Sequence, residues 1–186
     1  MKSSQVLVLP GWHSSGPAHW QSRWESLHGY RRVDQHDWTT PRRGDWLARL
    51  DEVVLGTDGP VLLVAHSLGC VLLAAWAKFS CQRDRVQGAL LVAPADTEQD
   101  ALRVQLPGWA PLVREPLPFD SVVVASSNDP FCTLARAQSL AHGWGSRFLD
   151  AGPLGHLNAD SGLGDWPEGH ALLEPWLRAQ PLSTKD

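Results

Sequence analysis

The chain has 186 residues, of which 43% are hydrophobic and 19% are charged, and its formal net charge is −4. This length and ordinary composition predict a globular protein with one domain spanning residues 1–186, and they exclude an intrinsically disordered chain. No basic cluster is longer than Arg42-Arg43, so nucleic acid is not an expected partner.

Apolar strands and amphipathic helices alternate along the chain. Strands are predicted at residues 5–9, 31–37, 61–65, 87–93, 121–125 and 147–149, and helices at about 17–28, 45–54, 68–79, 133–142 and 167–179. Prolines make a long helix improbable between residues 95 and 118, and glycines indicate a loop at 152–165. The tail after Pro181 is predicted to be loose.

This alternation predicts an α/β fold. Strands that are apolar on both faces are typical of a mostly parallel sheet covered by helices on both sides. In such folds the catalytic residues lie beyond the carboxyl ends of the strands. Ser67, Asp129 and the loop at residues 11–13 all have that position.

The stretch from Val61 to Lys78 carries the strongest signal. A short apolar strand is followed within a few residues by an apolar helix, and Ser67 stands at the turn. The small residues Ala65 and Gly69 flank it at two positions on either side, which is the pattern of a nucleophile elbow with alanine in the first position. Ser67 is therefore predicted to be a nucleophile, although a helix cap is the simpler alternative.

A serine nucleophile needs a base, and three histidines follow Ser67. His142 and His170 lie in predicted helices, whereas His156 lies in a loop flanked by glycines after the last strand. The loop gives His156 the reach to contact Ser67, so it is the predicted base. The alternative is a histidine that faces solvent.

The base needs an orienting acid, for which two aspartates follow strands. Asp129 precedes Pro130, which disfavours helical backbone and leaves the carboxylate free to face another loop. Asp96 resembles a helix N-cap, which would be a complete structural role. Asp129 therefore ranks first and Asp96 second. Asp150, Asp160 and Asp165 are close to His156 in sequence but lie on the same loop or strand end.

Acyl transfer also needs donors for a tetrahedral oxyanion. The N–H of Leu68 is the first predicted donor, and the second is that of Trp12 or, alternatively, His13. His13, Trp12 and Trp109 are the candidate residues for a small, shallow substrate pocket.

No metal or other cofactor is expected. His13, His66 and His156 lack metal-ligand spacing. Three widely separated cysteines, Cys70, Cys81 and Cys132, argue against a zinc site and against a disulfide framework.

The chain resembles the small serine hydrolases related to retinoblastoma-binding protein 9 and the bacterial YdeN proteins. The matching segments span nearly the whole chain: Pro10-Gly11-Trp12, residues 19–25, Val64 to Cys70, Ala93 to Asp96, Ser127 to Pro130, Gly155 to Asn158 and residues 161–169. The resemblance implies a compact α/β hydrolase fold without a separate lid domain. It also implies a triad of Ser67, Asp129 and His156.

One feature associated with that family is missing. The Leu-x-Cys-x-Glu pattern linked with retinoblastoma-protein binding is absent around all three cysteines, so no such partner is expected. The sequence carries no signal for an oligomeric state.

These observations predict a serine hydrolase that acts on small carboxylic esters, or less readily on amides, through an acyl-enzyme. One rival is a binding or regulatory protein that keeps the fold without turnover. A second is a lyase or a haloperoxidase-like enzyme that uses the same triad.

No apolar run approaches the ~18 residues of a membrane span, and the apolar run at residues 6–9 is too short for a signal peptide. A cytoplasmic location without a membrane partner is therefore expected.

Overall fold

The computed structural model describes residues 4–179. Its strands are β1 (Gln5–Leu9), β2 (Arg31–Arg32), β3 (Val61–His66), β4 (Val86–Val92), β5 (Ser121–Ala125) and β6 (Arg147–Asp150). Its α-helices are α1 (Trp20–His28), α2 (Arg43–Leu55), α3 (Leu68–Phe79), α4 (Asp100–Gln105), α5 (Leu134–Trp144), α6 (Pro167–Ala171) and α7 (Glu174–Arg178). The predicted loose tail after Pro181 lies outside the described residues.

The six strands form one sheet in the order β2-β1-β3-β4-β5-β6. Every pairing in it is parallel, which confirms the predicted α/β architecture. The chain winds from β1 to β2 in one direction and from β3 onward in the other, so the strand order reverses between β1 and β3. Sites in open parallel sheets form at the carboxyl ends of the strands beside such a reversal. The segments that follow β1 and β3 contain Trp12 and Ser67.

Two hydrophobic clusters cover the two faces of the sheet. Along β3, Val61, Leu63 and Ala65 join one cluster, whereas Leu62 and Val64 join the other, because side chains alternate between the faces of a strand. The first cluster includes residues of α2, α3 and α5, and the second includes residues of α1, with Trp176 of α7 packed against it. Six tryptophan side chains are fully buried, namely Trp20, Trp24, Trp46, Trp76, Trp109 and Trp144.

The second strand is shorter than predicted. It was expected at residues 31–37, but β2 ends at Arg32. The Val33 N–H donates to Val8 O at 2.9 Å, which extends the contact with β1 by one bond. Further on, the Asp37 carboxylate accepts the N–H groups of Thr39 and Thr40. These local bonds stabilise a turn in place of an extended strand.

The closing helix is divided in two. A single helix was predicted at residues 167–179, but α6 ends at Ala171 and α7 begins at Glu174. Pro175 has no N–H and cannot bond to Ala171 O, so a continuous helix is interrupted there. Among residues 4–179, no helix is long and apolar enough to cross a membrane.

Candidate active site

Ser67 occupies a strained turn between β3 and α3. Its backbone has φ 54° and ψ −118°, and its N–H donates to Val92 O at 3.0 Å. A Cβ on Gly69 would overlap Leu9 O and lie 2.9 Å from Pro10 O, and one on Gly11 would lie 2.8 Å from the Ser67 Cβ. The predicted need for a small residue two positions after Ser67 is therefore confirmed. Its cause is the close approach of the end of β1 to Gly69.

Three predicted site residues are hydrogen-bonded in series. Ser67 Oγ lies 2.8 Å from His156 Nε2. On the other side of the ring, His156 Nδ1 lies 2.9 Å from both Asp129 carboxylate oxygens. Because a carboxylate only accepts, the proton of the neutral ring is on Nδ1, and Nε2 is free to accept from the serine hydroxyl. The Asp129 side chain is only 2% exposed.

The loops that carry the histidine and the aspartate are bonded to each other. The Gly155 N–H donates to Asn128 Oδ1 at 2.7 Å, and the Leu154 N–H donates to Ser126 Oγ at 2.9 Å. The Asp129 carboxylate also accepts the Phe131 N–H at 2.9 Å. These bonds hold the turn after β5 against the loop after β6, although Asp129 and His156 are 27 positions apart in sequence.

The backbone N–H groups near Ser67 distinguish Trp12 from His13. The His13 N–H already donates to Trp38 O at 3.0 Å. Within residues 4–179, the N–H groups of Trp12 and Leu68 have no such backbone acceptor. Trp12 and Leu68 also line the same cavity as Ser67. The geometry therefore favours Trp12 over His13 as the second donor.

Arg32 stabilises the loop after β1, which contains Trp12. His13 and Ser14 both have left-handed backbone, with φ 65° and 64°, which is unfavourable for residues other than glycine. The Arg32 guanidinium donates to Ser14 Oγ at 2.9 Å and to Ser15 O at 3.0 Å, and it pairs with Glu25 at 2.8 Å. The partly buried Arg32 guanidinium thus stabilises the left-handed turn after Trp12.

Ser67 lines a cavity of about 470 Å³. Its lining comprises Trp12, His13, Ser14, Gly16, His19, His66, Ser67, Leu68, Ala95, Leu102, Gln105, Leu106, Phe131, His156, Asn158 and Ala159. Helix α4 supplies one wall through Leu102 and Gln105, together with Leu106, which follows the helix directly. This wall was not predicted from the sequence, although the spacing of Leu102 and Leu106 is that of one helix face.

Trp109 does not line this cavity, contrary to the prediction. Its side chain is fully buried, its ring packs edge-on against Trp46, and its Nε1–H donates to Pro41 O at 2.9 Å. A buried indole satisfies its N–H in this way and joins the core. His13, by contrast, is exposed and lines the cavity.

The alternative acids and bases lie elsewhere. The Asp96 carboxylate pairs with Arg136 at 3.1 Å and accepts the Glu98 N–H at 3.1 Å. It caps a turn rather than a helix, because α4 begins only at Asp100. His142 is exposed in α5, and His170 Nε2 lies 2.7 Å from Tyr30 Oη.

Two further histidines, His19 and His66, are buried beside the cavity. Burial lowers the pKa of His19 from its ordinary value to about 4, with a smaller contribution from His156. Burial likewise lowers the pKa of His66 well below its ordinary value. His19 Nδ1 accepts the Gln21 N–H at 3.1 Å and so caps α1. Both rings are therefore neutral at pH 7.

The lowered pKa of His19 predicts a pH-dependent stability. Between pH 6.5 and about 4, the unfolded chain binds a proton that folded His19 does not. The free energy of unfolding therefore decreases as the pH is lowered through that window, by about 1.4 kcal/mol per pH unit. Asparagine is a good N-cap but does not titrate. Compared by urea unfolding at pH 7 and pH 5, His19→Asn should lose about 2 kcal/mol less than the wild type. Equal losses would contradict this account.

The fold and the arrangement of residues after β3, β5 and β6 define an α/β hydrolase. The chain matches the family described as Serine hydrolase over residues 6–175, and it belongs to this family. The predicted resemblance to small serine hydrolases is thereby confirmed. No curated protein sequence matches the chain.

Solved structures are similar over most of the chain. A protein provisionally described as a YdeN-like hydrolase from Pectobacterium atrosepticum is 28% identical, with a TM-score of 0.82 and coverage of 94% of this chain and 91% of that one. The ydeN gene product of B. subtilis is 19% identical, with a TM-score of 0.77 and coverages of 95% and 100%. The esterase RhEst1 from Rhodococcus sp. is 12% identical, with a TM-score of 0.69 and coverages of 96% and 92%.

Proposed function

We propose that this protein hydrolyses small, uncharged carboxylic esters, and amides less readily, through an acyl-enzyme on Ser67. The observation that carries the proposal is the hydrogen-bonded series from Ser67 through His156 to Asp129, with distances of 2.8 and 2.9 Å. In this series a base contacts the nucleophile and an acid contacts the base, which is the arrangement that serine catalysis requires.

In the first half-reaction, Ser67 Oγ attacks the ester carbonyl carbon while His156 Nε2 takes the hydroxyl proton. Asp129 stabilises the imidazolium that forms and keeps Nδ1 protonated. The carbonyl oxygen becomes an oxyanion, which accepts from the N–H groups of Leu68 and Trp12. Losing one such donor typically raises a barrier by roughly 3–4 kcal/mol.

The tetrahedral intermediate then collapses. The bond to the leaving oxygen breaks, and the imidazolium of His156 donates its proton to the departing alcohol. A water molecule next attacks the acyl-enzyme while His156 again acts as base, and the carboxylic acid leaves with Ser67 restored. Leu68 is the first residue of α3, so the helix N-terminus also favours the negative charge that develops in both steps.

The lining of the cavity supports an uncharged substrate. Among the described residues, it includes no Asp, Glu, Lys or Arg side chain. The buried imidazole of His66 is neutral because its pKa is lowered by burial, and Leu68, Leu102, Leu106 and Phe131 supply apolar surface. A charged substrate would lose hydration here without gaining a partner of opposite charge.

The length of the acyl chain tests this proposal. The segment between β4 and β5 holds only the short helix α4, which leaves no lid domain to cover a long chain. We therefore expect kcat/KM to be higher for acetyl to butyryl esters than for long-chain esters, measured on a graded series with Ser67→Ala as the blank. A higher kcat/KM for an acyl chain of about twelve carbons or more would contradict the proposed substrate class.

A further inference from the structure

Two buried side chains from other elements hold the backbone that follows the base. The His66 Nε2–H donates to His156 O at 2.9 Å, and the Trp20 Nε1–H donates to Leu157 O at 2.8 Å. His66 is 5% exposed and Trp20 is 1% exposed. Because a carbonyl oxygen only accepts, the neutral His66 ring must carry its proton on Nε2.

The residue between these two carbonyl groups has strained backbone. Leu157 has φ 48°, a left-handed conformation that is unfavourable for any residue other than glycine. The peptide planes on either side of Leu157 carry the two acceptor oxygens. Each plane is therefore fixed by one buried donor, and the torsion of Leu157 cannot relax without breaking one of the two bonds. His156 is the residue at the start of this strained unit.

We propose that Trp20 and His66 are positioning residues that keep the His156 ring between Ser67 and Asp129 by holding the strained backbone of Leu157. The inference rests on the proposed function, since it makes both residues necessary for efficient use of the base. His66 has a second connection to the site, because it directly precedes Ser67 in the elbow. His66 thus connects the two segments: its backbone leads directly into Ser67, and its side chain bonds to the carbonyl group of His156.

Trp24 provides a matched control for Trp20. Both residues belong to α1, both are fully buried, and their rings pack at 4.6 Å. The Trp24 Nε1–H donates instead to Asp165 O at 2.7 Å, which lies outside the backbone unit formed by His156 and Leu157. Trp20→Phe and Trp24→Phe each remove one buried N–H···O bond and the same side-chain volume. Only Trp20→Phe releases the Leu157 carbonyl.

Kinetics on the preferred ester distinguish the two tryptophan variants. Trp20→Phe should lower kcat at least about tenfold and leave KM within about twofold, because small displacements of a reacting group are costly and Trp20 does not line the cavity. Trp24→Phe should retain kcat within about twofold of the wild type. Equal values of kcat for two equally folded variants, as judged by Tm, would overturn the proposal.

A pair of His66 variants provides a second test if either tryptophan variant fails to fold. Glutamine can place an N–H donor near the position of the imidazole Nε2, whereas leucine has no donor. His66→Gln should therefore retain most of the kcat that His66→Leu loses. Equal kcat for His66→Gln and His66→Leu would show that the bond to His156 O does not position the base.

A readout that needs no turnover separates this inference from the proposed function. The His156 Nδ1–H proton, shared with the Asp129 carboxylate, should give a far-downfield proton NMR signal in the wild type and in Trp24→Phe. The signal should be weakened or lost in Trp20→Phe and His66→Leu. If no ester is hydrolysed, the proposed function fails while this comparison still decides the positioning role. An identical signal in all four proteins would overturn that role.

Discussion

Ser67→Ala is expected to lower kcat for ester hydrolysis by about 10⁶-fold, the loss found when the nucleophile of a serine protease is removed. Alanine cannot form the acyl-enzyme, and His156 Nε2 loses the hydroxyl that lies 2.8 Å away. The substitution removes a single oxygen atom, and the Ser67 N–H bond to Val92 O remains available. The variant should therefore fold as the wild type does, with a similar Tm.

A fluorophosphonate probe measures the same group without a substrate. Ser67 Oγ should attack the phosphorus, fluoride should leave, and His156 should take the hydroxyl proton, so that the adduct is found on the peptide containing Ser67. The Ser67→Ala protein should remain unlabelled. A folded wild-type protein that stays unlabelled would favour the rival in which this chain is a binding protein that has kept the fold without turnover.

The elbow and its neighbours could be predicted because their signals are local. An apolar strand, a serine between small residues and a run of helix formers lie within 18 consecutive residues, and α3 begins and ends at the predicted positions. The strands β1 and β5 also match their predicted bounds. In each case an unbroken apolar run ends at a glycine, proline or polar turn, so little tertiary context is needed to place it.

Features that depend on distant contacts were missed. Trp109 was predicted at the cavity because aromatic residues commonly line such sites, but its position depends on Trp46 and on Pro41 O, more than 60 residues away. The positioning bonds of Trp20 and His66 join residues 137 and 90 positions apart. Periodicity within α1 shows that Trp20 is buried, but it does not identify the carbonyl that its N–H contacts.

The sequence ranks Asp129 above Asp96 as the orienting acid, and the two carboxylates have different partners in the structure. Asp129 has both carboxylate oxygens 2.9 Å from His156 Nδ1. Asp96 pairs with Arg136 and accepts the Glu98 N–H, so its carboxylate is used within the fold. The helix-cap role predicted for Asp96 is wrong, since the residue caps a turn before α4, but a structural role for its carboxylate is still found.

Asp129→Asn should therefore lower kcat by roughly 10⁴-fold, the loss seen for the same change in a serine protease. The asparagine amide can donate to His156 Nδ1, which favours the tautomer with its proton on Nε2. That tautomer cannot accept the proton of Ser67, and the imidazolium loses the carboxylate that stabilises it. The change keeps the size of the side chain, and the Asn Oδ1 can still accept the Phe131 N–H.

Asp96→Asn is the matched control, because it makes the same chemical change at the carboxyl end of the neighbouring strand β4. It leaves the Arg136 guanidinium with one carboxylate fewer, although Glu98 still pairs with that guanidinium. The free energy of unfolding should fall by about 1–3 kcal/mol, the usual consequence of removing one partner from a partly buried polar pair. Its kcat should stay within about tenfold of the wild type, since Asp96 makes no bond to His156. Both variants are to be measured on one ester, with urea unfolding to establish that each is folded. If Asp96→Asn is folded and has the lower kcat, Asp129 is not the acid that orients the base.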